Sequence, residues 1–335
     1  MERKRNIRAV ALLLAVWLLS APAMAVPADE IRLIPSGETI GIHVDSSGLL
    51  VVGIAELNTE KGPCSPGWDA GMRVGDFILA IGSQAVTTIE ELRRSLADNR
   101  GEVAVRFLRD GKEMQLTVKP VYSNDGEGEL GLWLRSGLSG LGTMTFLDPA
   151  TGSFGALGHG VSDGDTGLLL PLKNGCVANA KVDTIQRGEK GKPGEVKGSL
   201  GLEIPFGEIT HNTVCGIFGS VSGEVPEPGY GPTRIGSLKT MHCGSAQILS
   251  DVSGTITAYA VEISRVFPDS SGGRDLLLTV TDDALLSLTG GIVQGMSGSP
   301  ILQDGCLVGA VTHVLVNDPT RGYGIGIERM LEAAA

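Results

Sequence analysis

A serine set between glycines, Gly295-Met296-Ser297-Gly298-Ser299-Pro300, has the setting that a hydroxyl nucleophile needs. Flanking glycines allow a tight turn that lifts the hydroxyl clear of the fold. They also let the N–H groups of Gly295 and Ser297 aim at a developing oxyanion. Short Gly-Ser runs occur as plain turns too, so the motif needs partners. A serine nucleophile needs a base that titrates near neutrality. Of five histidines, His159 is the best placed, between glycines in Gly155-Ala156-Leu157-Gly158-His159-Gly160 at the end of an apolar strand. His43 lies in a separate N-terminal region and His211 and His242 lie in polar loops, while His313, in Val311-Thr312-His313-Val314, is expected to pack beside the site. An acid should hold the imidazole tautomer. Asp282 and Asp283 end the apolar strand Leu276–Val280, and Asp163 and Asp165 follow His159 closely. The chemistry of these carboxylates does not separate them.

The chain that must position these groups has 335 residues, enough for roughly two domains. Its 49 glycines, few aromatics and few strong helical patterns favour a β-rich body with many turns. The net charge is −11, and the body is more acidic still because Arg3, Lys4, Arg5 and Arg8 cluster at the start. An acidic body argues against sequence-independent nucleic-acid binding. Those basic residues precede the apolar run Ala9–Leu19 and an Ala23-Met24-Ala25 site, so residues 1–28 are expected to be an export signal or membrane anchor. Five cysteines without a CxxC pair define no disulfide framework. His211-x-x-x-Cys215 and His242-Cys243 lack a second paired cluster, so neither a structural metal nor a cofactor is expected.

Residues 35–122 read as a small α+β unit. Two β segments (Glu38–Val44, Gly48–Ile54) precede a glycine-bounded turn and the strand Phe77–Ile81. Thr88 starts a helix whose apolar residues Ile89, Leu92 and Leu96 share one face. Two alternating strands then flank the turn Arg109–Lys112. The run Ser65-Pro66-Gly67 through Gly71-Met72-Arg73-Val74-Gly75-Asp76-Phe77-Ile78 resembles that of protease-associated PDZ domains. That resemblance implies a groove in which an extended peptide adds as a strand, with Thr39-Ile40-Gly41-Ile42 as its carboxylate-binding loop.

The polar stretch Ser123–Glu129 is expected to separate this unit from a second domain, residues 130–335, made of short strands and turns. The order His159, Asp282, Ser297 is that of chymotrypsin-like double β-barrels. The run Gly290–Ile301, with Val308–Val314, Val316–Thr320, Ala156–His159 and Val280–Asp282, resembles the SpoIVB peptidases of sporulation. The likeness covers nearly the whole chain and implies a mainly β fold, with an N-terminal PDZ domain ahead of a double-barrel peptidase. It implies His159 as general base, Asp282 as orienting acid, Ser297 as nucleophile, and Gly295 and Ser297 as oxyanion donors. It further implies an exported serine endopeptidase of the forespore membrane or intermembrane space. Such enzymes cleave themselves and a SpoIVFA-like regulator, which triggers pro-sigma-K processing by a membrane metalloprotease. Two other readings are a catalytically silent PDZ adaptor and an envelope quality-control protease, although the latter usually carries its PDZ domain after the protease.

Overall fold

The computed structural model describes residues 31–335 apart from 100, 124–125, 223–228 and 271, so the expected export segment lies outside the described residues. After β1 (Arg32–Pro35) comes β2 (Thr39–Ile54), a 16-residue strand that serves two cores. Ile40, Ile42 and Val44 point into one core. Leu49 and Val51 point into another. Each half keeps the side-chain period of two, but its phase changes from even to odd between Val44 and Leu49, where the pairing with the later strand shifts register between Arg135 and Gly137.

Beyond β2 the chain builds a small unit from α1 (Pro66–Asp69), β3 (Phe77–Ile81), α2 (Ile89–Asp98), β4 (Val103–Arg109) and β5 (Lys112–Val118). The helix expected from Thr88 is present. Thr88 Oγ1 accepts from Glu91 N at 3.1 Å and the Glu91 carboxylate accepts from Thr88 N at 3.1 Å, a reciprocal capping box. Leu92 and Leu96 bury against the strands. The Gly75-Asp76 pair also has a mechanical explanation. Asp76 is buried, accepts from Arg73 N at 2.8 Å, and receives a two-pronged ion pair from Arg109 at 2.6 and 2.7 Å.

The chain then returns along β6 (Leu132–Leu147), another 16-residue strand, antiparallel to β2 from Leu132↔Ile54 to Thr143↔Thr39. Next come β7 (Ser153–Ala156), β8 (Leu172–Asn179), the hairpin β9 (Lys181–Gln186) and β10 (Glu195–Ser199), β11 (Pro205–Thr213) and β12 (Gly216–Val221). Strands β6, β7, β12, β11, β8 and β2 pair in that circular order, and β2 closes back on β6. A second closed barrel is made of β13 (Gly244–Ser250), β14 (Thr257–Val266), β15 (Leu276–Val280), β16 (Pro300–Gln303), β17 (Cys306–Leu315) and β18 (Asp318–Gly326). Helix α3 (Asp283–Thr289) links β15 to β16, and α4 (Ile327–Ala334) ends the chain.

The mainly β, two-barrel body is as expected, but its connectivity is different. The barrel does not begin after residue 122. Its first strand is the Thr39–Ser46 half of β2, and the small unit is inserted between that strand and the next, the barrel half of β6. The polar stretch near Ser123 is a loop of the insert, since Gly128 and Leu130 on its far side are still buried there.

Candidate active site

Ser297 lies in the connection between α3 and β16 and faces a cleft of about 1130 Å³ lined by residues of both barrels, among them Leu141, His159, Arg274, Gln294, Thr312 and His313. The connection is compressed against β6. Gly298 has φ +100°, and a Cβ there would stand 1.9 Å from Thr143 O, so both backbone angle and space require glycine. Ser297 Oγ donates to Thr312 O at 2.7 Å. Ser299, the other serine of the motif, is fully buried and its Oγ has no hydrogen-bond partner.

The N–H groups of Met296, Gly298 and Ser299 donate to Val293, Val311 and Met296 carbonyls at 2.8–3.1 Å. Among the described residues those of Gly295 and Ser297 donate to no backbone carbonyl. Both are thus left without a backbone acceptor on either side of Met296.

His159 enters the cleft from the turn after β7. Its Nδ1 lies 3.0 Å from Gly160 O. A carbonyl only accepts, so Nδ1 carries the proton and Nε2 keeps its lone pair, the tautomer a general base requires. Burial pushes its pKa below the usual imidazole range, and the Gly160 bond only partly offsets this. His313 stands beside it with ring centroids 5.1 Å apart. Desolvation, the His159 ring and Arg274 push His313 down to about 4. Its ring still meets solvent in the open cleft, which tempers that shift without reversing it. Both imidazoles are therefore neutral at pH 7. In this resting arrangement no hydrogen bond joins Ser297 Oγ to His159.

The structure does not bring the third predicted residue to these two. Asp282 is the N-cap of α3, its carboxylate accepting from Ala284 N and Leu285 N at 3.0 Å and from Ala260 N at 3.2 Å. These bonds hold its pKa below the usual carboxylate range. Leu277 pairs with Tyr323, which pairs with His313; Asp282 is five residues beyond Leu277, roughly 16 Å along an extended chain. Its carboxylate is committed to this cap, and the contact at His159 Nδ1 is the Gly160 carbonyl. Asp163 is likewise committed, to Arg135 and to the Thr166 N–H and hydroxyl. Asp282→Asn is expected to keep the N-terminal cap, cost about 1 kcal/mol of stability through the Ala260 contact, and leave turnover within a few-fold. A loss above a hundredfold in kcat with an unchanged Tm would restore the orienting role.

The predicted peptide loop of the insert also needs correction. Thr39, Ile40, Gly41 and Ile42 lie in the barrel half of β2, with both edges occupied by β6 and β8. A strand paired on both sides offers no edge to a peptide. The insert does hold a cavity, of about 420 Å³, between Ile89, Leu92 and Arg93 of α2 and the segment Gly128–Leu134. Leu132 and Leu134 pair with Ile54 and Val51 on one side, leaving the other edge toward α2. Leu130, Leu132 and Leu134, alternating along Glu129–Leu134, were the available signal; their distance in sequence from the other β segments concealed it.

A family model for the SpoIVB peptidase S55 matches residues 126–331, and a PDZ domain model matches residues 62–109. A probable periplasmic serine endoprotease DegP-like of Rickettsia prowazekii (strain Madrid E) is 36% identical over 62 residues, 18% of this chain and only 12% of that protein. Among solved structures, the Rv3671c protease of M. tuberculosis in its active form aligns over 58% of this chain and 73% of its own at 15% identity and a TM-score of 0.36. The HtrA-type protease AlgW with decapeptide aligns over 63% and 54% at 13% identity and a TM-score of 0.34.

Proposed function

The chain belongs to the SpoIVB peptidase S55 family, a serine endopeptidase carrying a PDZ domain, and from that premise we propose how its residues work and what it cuts. The observation that carries the reading is the convergence of Ser297, a correctly protonated His159 and two unspent N–H groups on one cleft between the barrels. His159 Nε2 takes the proton of Ser297 Oγ as the oxygen attacks a peptide carbonyl. The Gly295 and Ser297 amides hold the oxyanion. Collapse breaks the C–N bond, the imidazolium passes its proton to the leaving amine, and water releases the acyl group by the reverse sequence.

The physiological substrate in this reading is an extracytoplasmic SpoIVFA-like regulator of a membrane metalloprotease, with pro-sigma-K processing as the downstream event of sporulation. The residues 1–28 would deliver the enzyme to the forespore membrane or intermembrane space, where it also cleaves itself in trans. Support for this finer role is the family membership, the basic-apolar N-terminus and the PDZ groove, which suits a peptide segment of a protein substrate.

A fluorophosphonate probe tests the chemistry. It should form an adduct on Ser297 with a rate that holds through pH 6.5 and declines only at lower pH, because His159 stays neutral below the ordinary imidazole value of 6.5. A folded sample that takes no label at any pH is a silent adaptor instead. Incubation with the regulator's extracytoplasmic domain tests the substrate; an intact regulator beside a labelled enzyme rejects that assignment alone.

A further inference from the structure

Three tethers of the catalytic centre end on one side chain and its backbone. Thr143, fully enclosed on β6, donates its N–H to Ser297 O at 2.9 Å. Its Oγ1 donates to Gly295 O at 2.8 Å, and its carbonyl accepts from Leu157 N at 3.2 Å. The first two hold the nucleophile loop, which belongs to the second barrel's connection; the third holds the turn that delivers His159 from the first barrel.

Each tether acts where the chain is otherwise free to move. Gly295 has φ +101°, and glycine rotates easily between conformations. Its preceding peptide is fixed by Val196 N donating to Gln294 O at 2.8 Å, and its own carbonyl by Thr143 Oγ1. With both neighbouring carbonyls pinned, the Gly295 N–H keeps its aim at the oxyanion position. On the other side, Leu157 has φ +69°, and Gly158 N closes a three-residue turn on Ala156 O at 2.9 Å. A leucine in that region persists only where its surroundings hold it. The bond from Leu157 N to Thr143 O is one such restraint, two residues before His159.

We infer that Thr143 is a positioning residue of the reaction, which fixes the oxyanion donor and the nucleophile relative to the histidine turn through its hydroxyl and backbone. The inference rests on Ser297 as nucleophile. The hydroxyl is its separable part, because substitution leaves both backbone tethers in place. Thr145, whose Oγ1 donates to Gly298 O at 2.8 Å, makes a similar bond further along the loop, with no hydrogen bond to Gly295 or Leu157. The same unbroken β6 walls the insert's cavity at Leu132–Leu134, so the cavity and the tethers share one strand.

The test uses the full chain and a fluorophosphonate probe, with kinact and KI measured separately and the adduct mapped by mass spectrometry. Thr143→Val is expected to lower kinact about tenfold or more, below the loss for a deleted oxyanion donor. KI should stay within twofold, and Thr143→Ser should restore the wild-type rate. Thr143→Ala gives the same reading if valine does not fit the buried seam, and Thr145→Val should acylate several times faster than Thr143→Val at similar Tm. A Thr143→Val protein that acylates at the wild-type rate overturns the inference. So does a Thr143→Ser protein as slow as Thr143→Val, which would make side-chain shape the cause. An adduct absent from Ser297 in the wild type defeats the nucleophile assignment instead, a result distinct from either.

Discussion

Ser297→Ala is expected to yield a folded protein whose peptidase activity is lower by about four to six orders of magnitude. The structural cost is small because the hydroxyl makes one hydrogen bond, to Thr312 O, worth about 0.5–1.5 kcal/mol. The backbone of Ser297 stays tied to Thr143 through its carbonyl. The catalytic cost is large because the other serine of the motif cannot take the place of this one. Ser299, two residues on, is fully buried and could reach a substrate only if the loop unfolded. The oxyanion donors survive the substitution, so residual catalysis above the rate in water should remain. Intact-mass analysis of wild-type and Ser297→Ala protein, with parallel thermal melts, checks both halves. An alanine variant that still processes itself and its substrate at the wild-type rate would place the nucleophile elsewhere.

The residues proposed for the chemistry were easier to read in the sequence than the scaffold that holds them. Ser297 and His159 announce themselves because a reactive side chain at a tight turn needs glycine neighbours, and such needs are local. The same holds for Thr88 with Glu91, three residues apart on one helical turn. What was not legible depends on partners distant in sequence. The segments Glu38–Val44 and Gly48–Ile54 both alternate like strands, and alternation does not say which core each faces. Only pairing with β6 and β8 reveals that Thr39–Ile42 belong to the barrel. Asp282 illustrates the opposite error. An aspartate after an apolar strand and before Ala284-Leu285-Leu286 suits an orienting acid, but equally a helix N-cap, and here its backbone bonds decide for the cap. Thr143 carried no signal at all, being one threonine in an ordinary alternating strand.

The inserted position of the PDZ unit makes the last prediction, about which pieces of this chain can fold. A fragment starting at residue 126, where the peptidase family match begins, lacks the barrel half of β2. It therefore loses Ile40, Ile42 and Val44, which are 1%, 4% and 0% exposed. Burying three such side chains contributes about 5–9 kcal/mol, comparable to the whole stability of a typical domain. The loss also leaves β6 and β8 with unpaired edges facing each other across the gap. That fragment should be insoluble or unfolded by circular dichroism. Excision within the chain should succeed where truncation fails. Asp45 and Gly137 are opposite one another in the β2–β6 ladder, so a two-residue Asn-Gly turn can replace residues 46–136 as an ordinary hairpin. The cut removes Arg135, which neutralises the buried Asp163, so Asp163→Asn must accompany it to avoid stranding a charge. The excised protein should melt cooperatively and accept a fluorophosphonate on Ser297 within about tenfold of the full chain, because Thr143 and both walls of the cleft remain. If the 126–335 fragment folds and labels while the excised chain does not, the barrel does not depend on its N-terminal strand and the insertion is wrong. The opposite result makes β2 and β6 a single hairpin of the peptidase, opened at its tip to hold a peptide-binding domain.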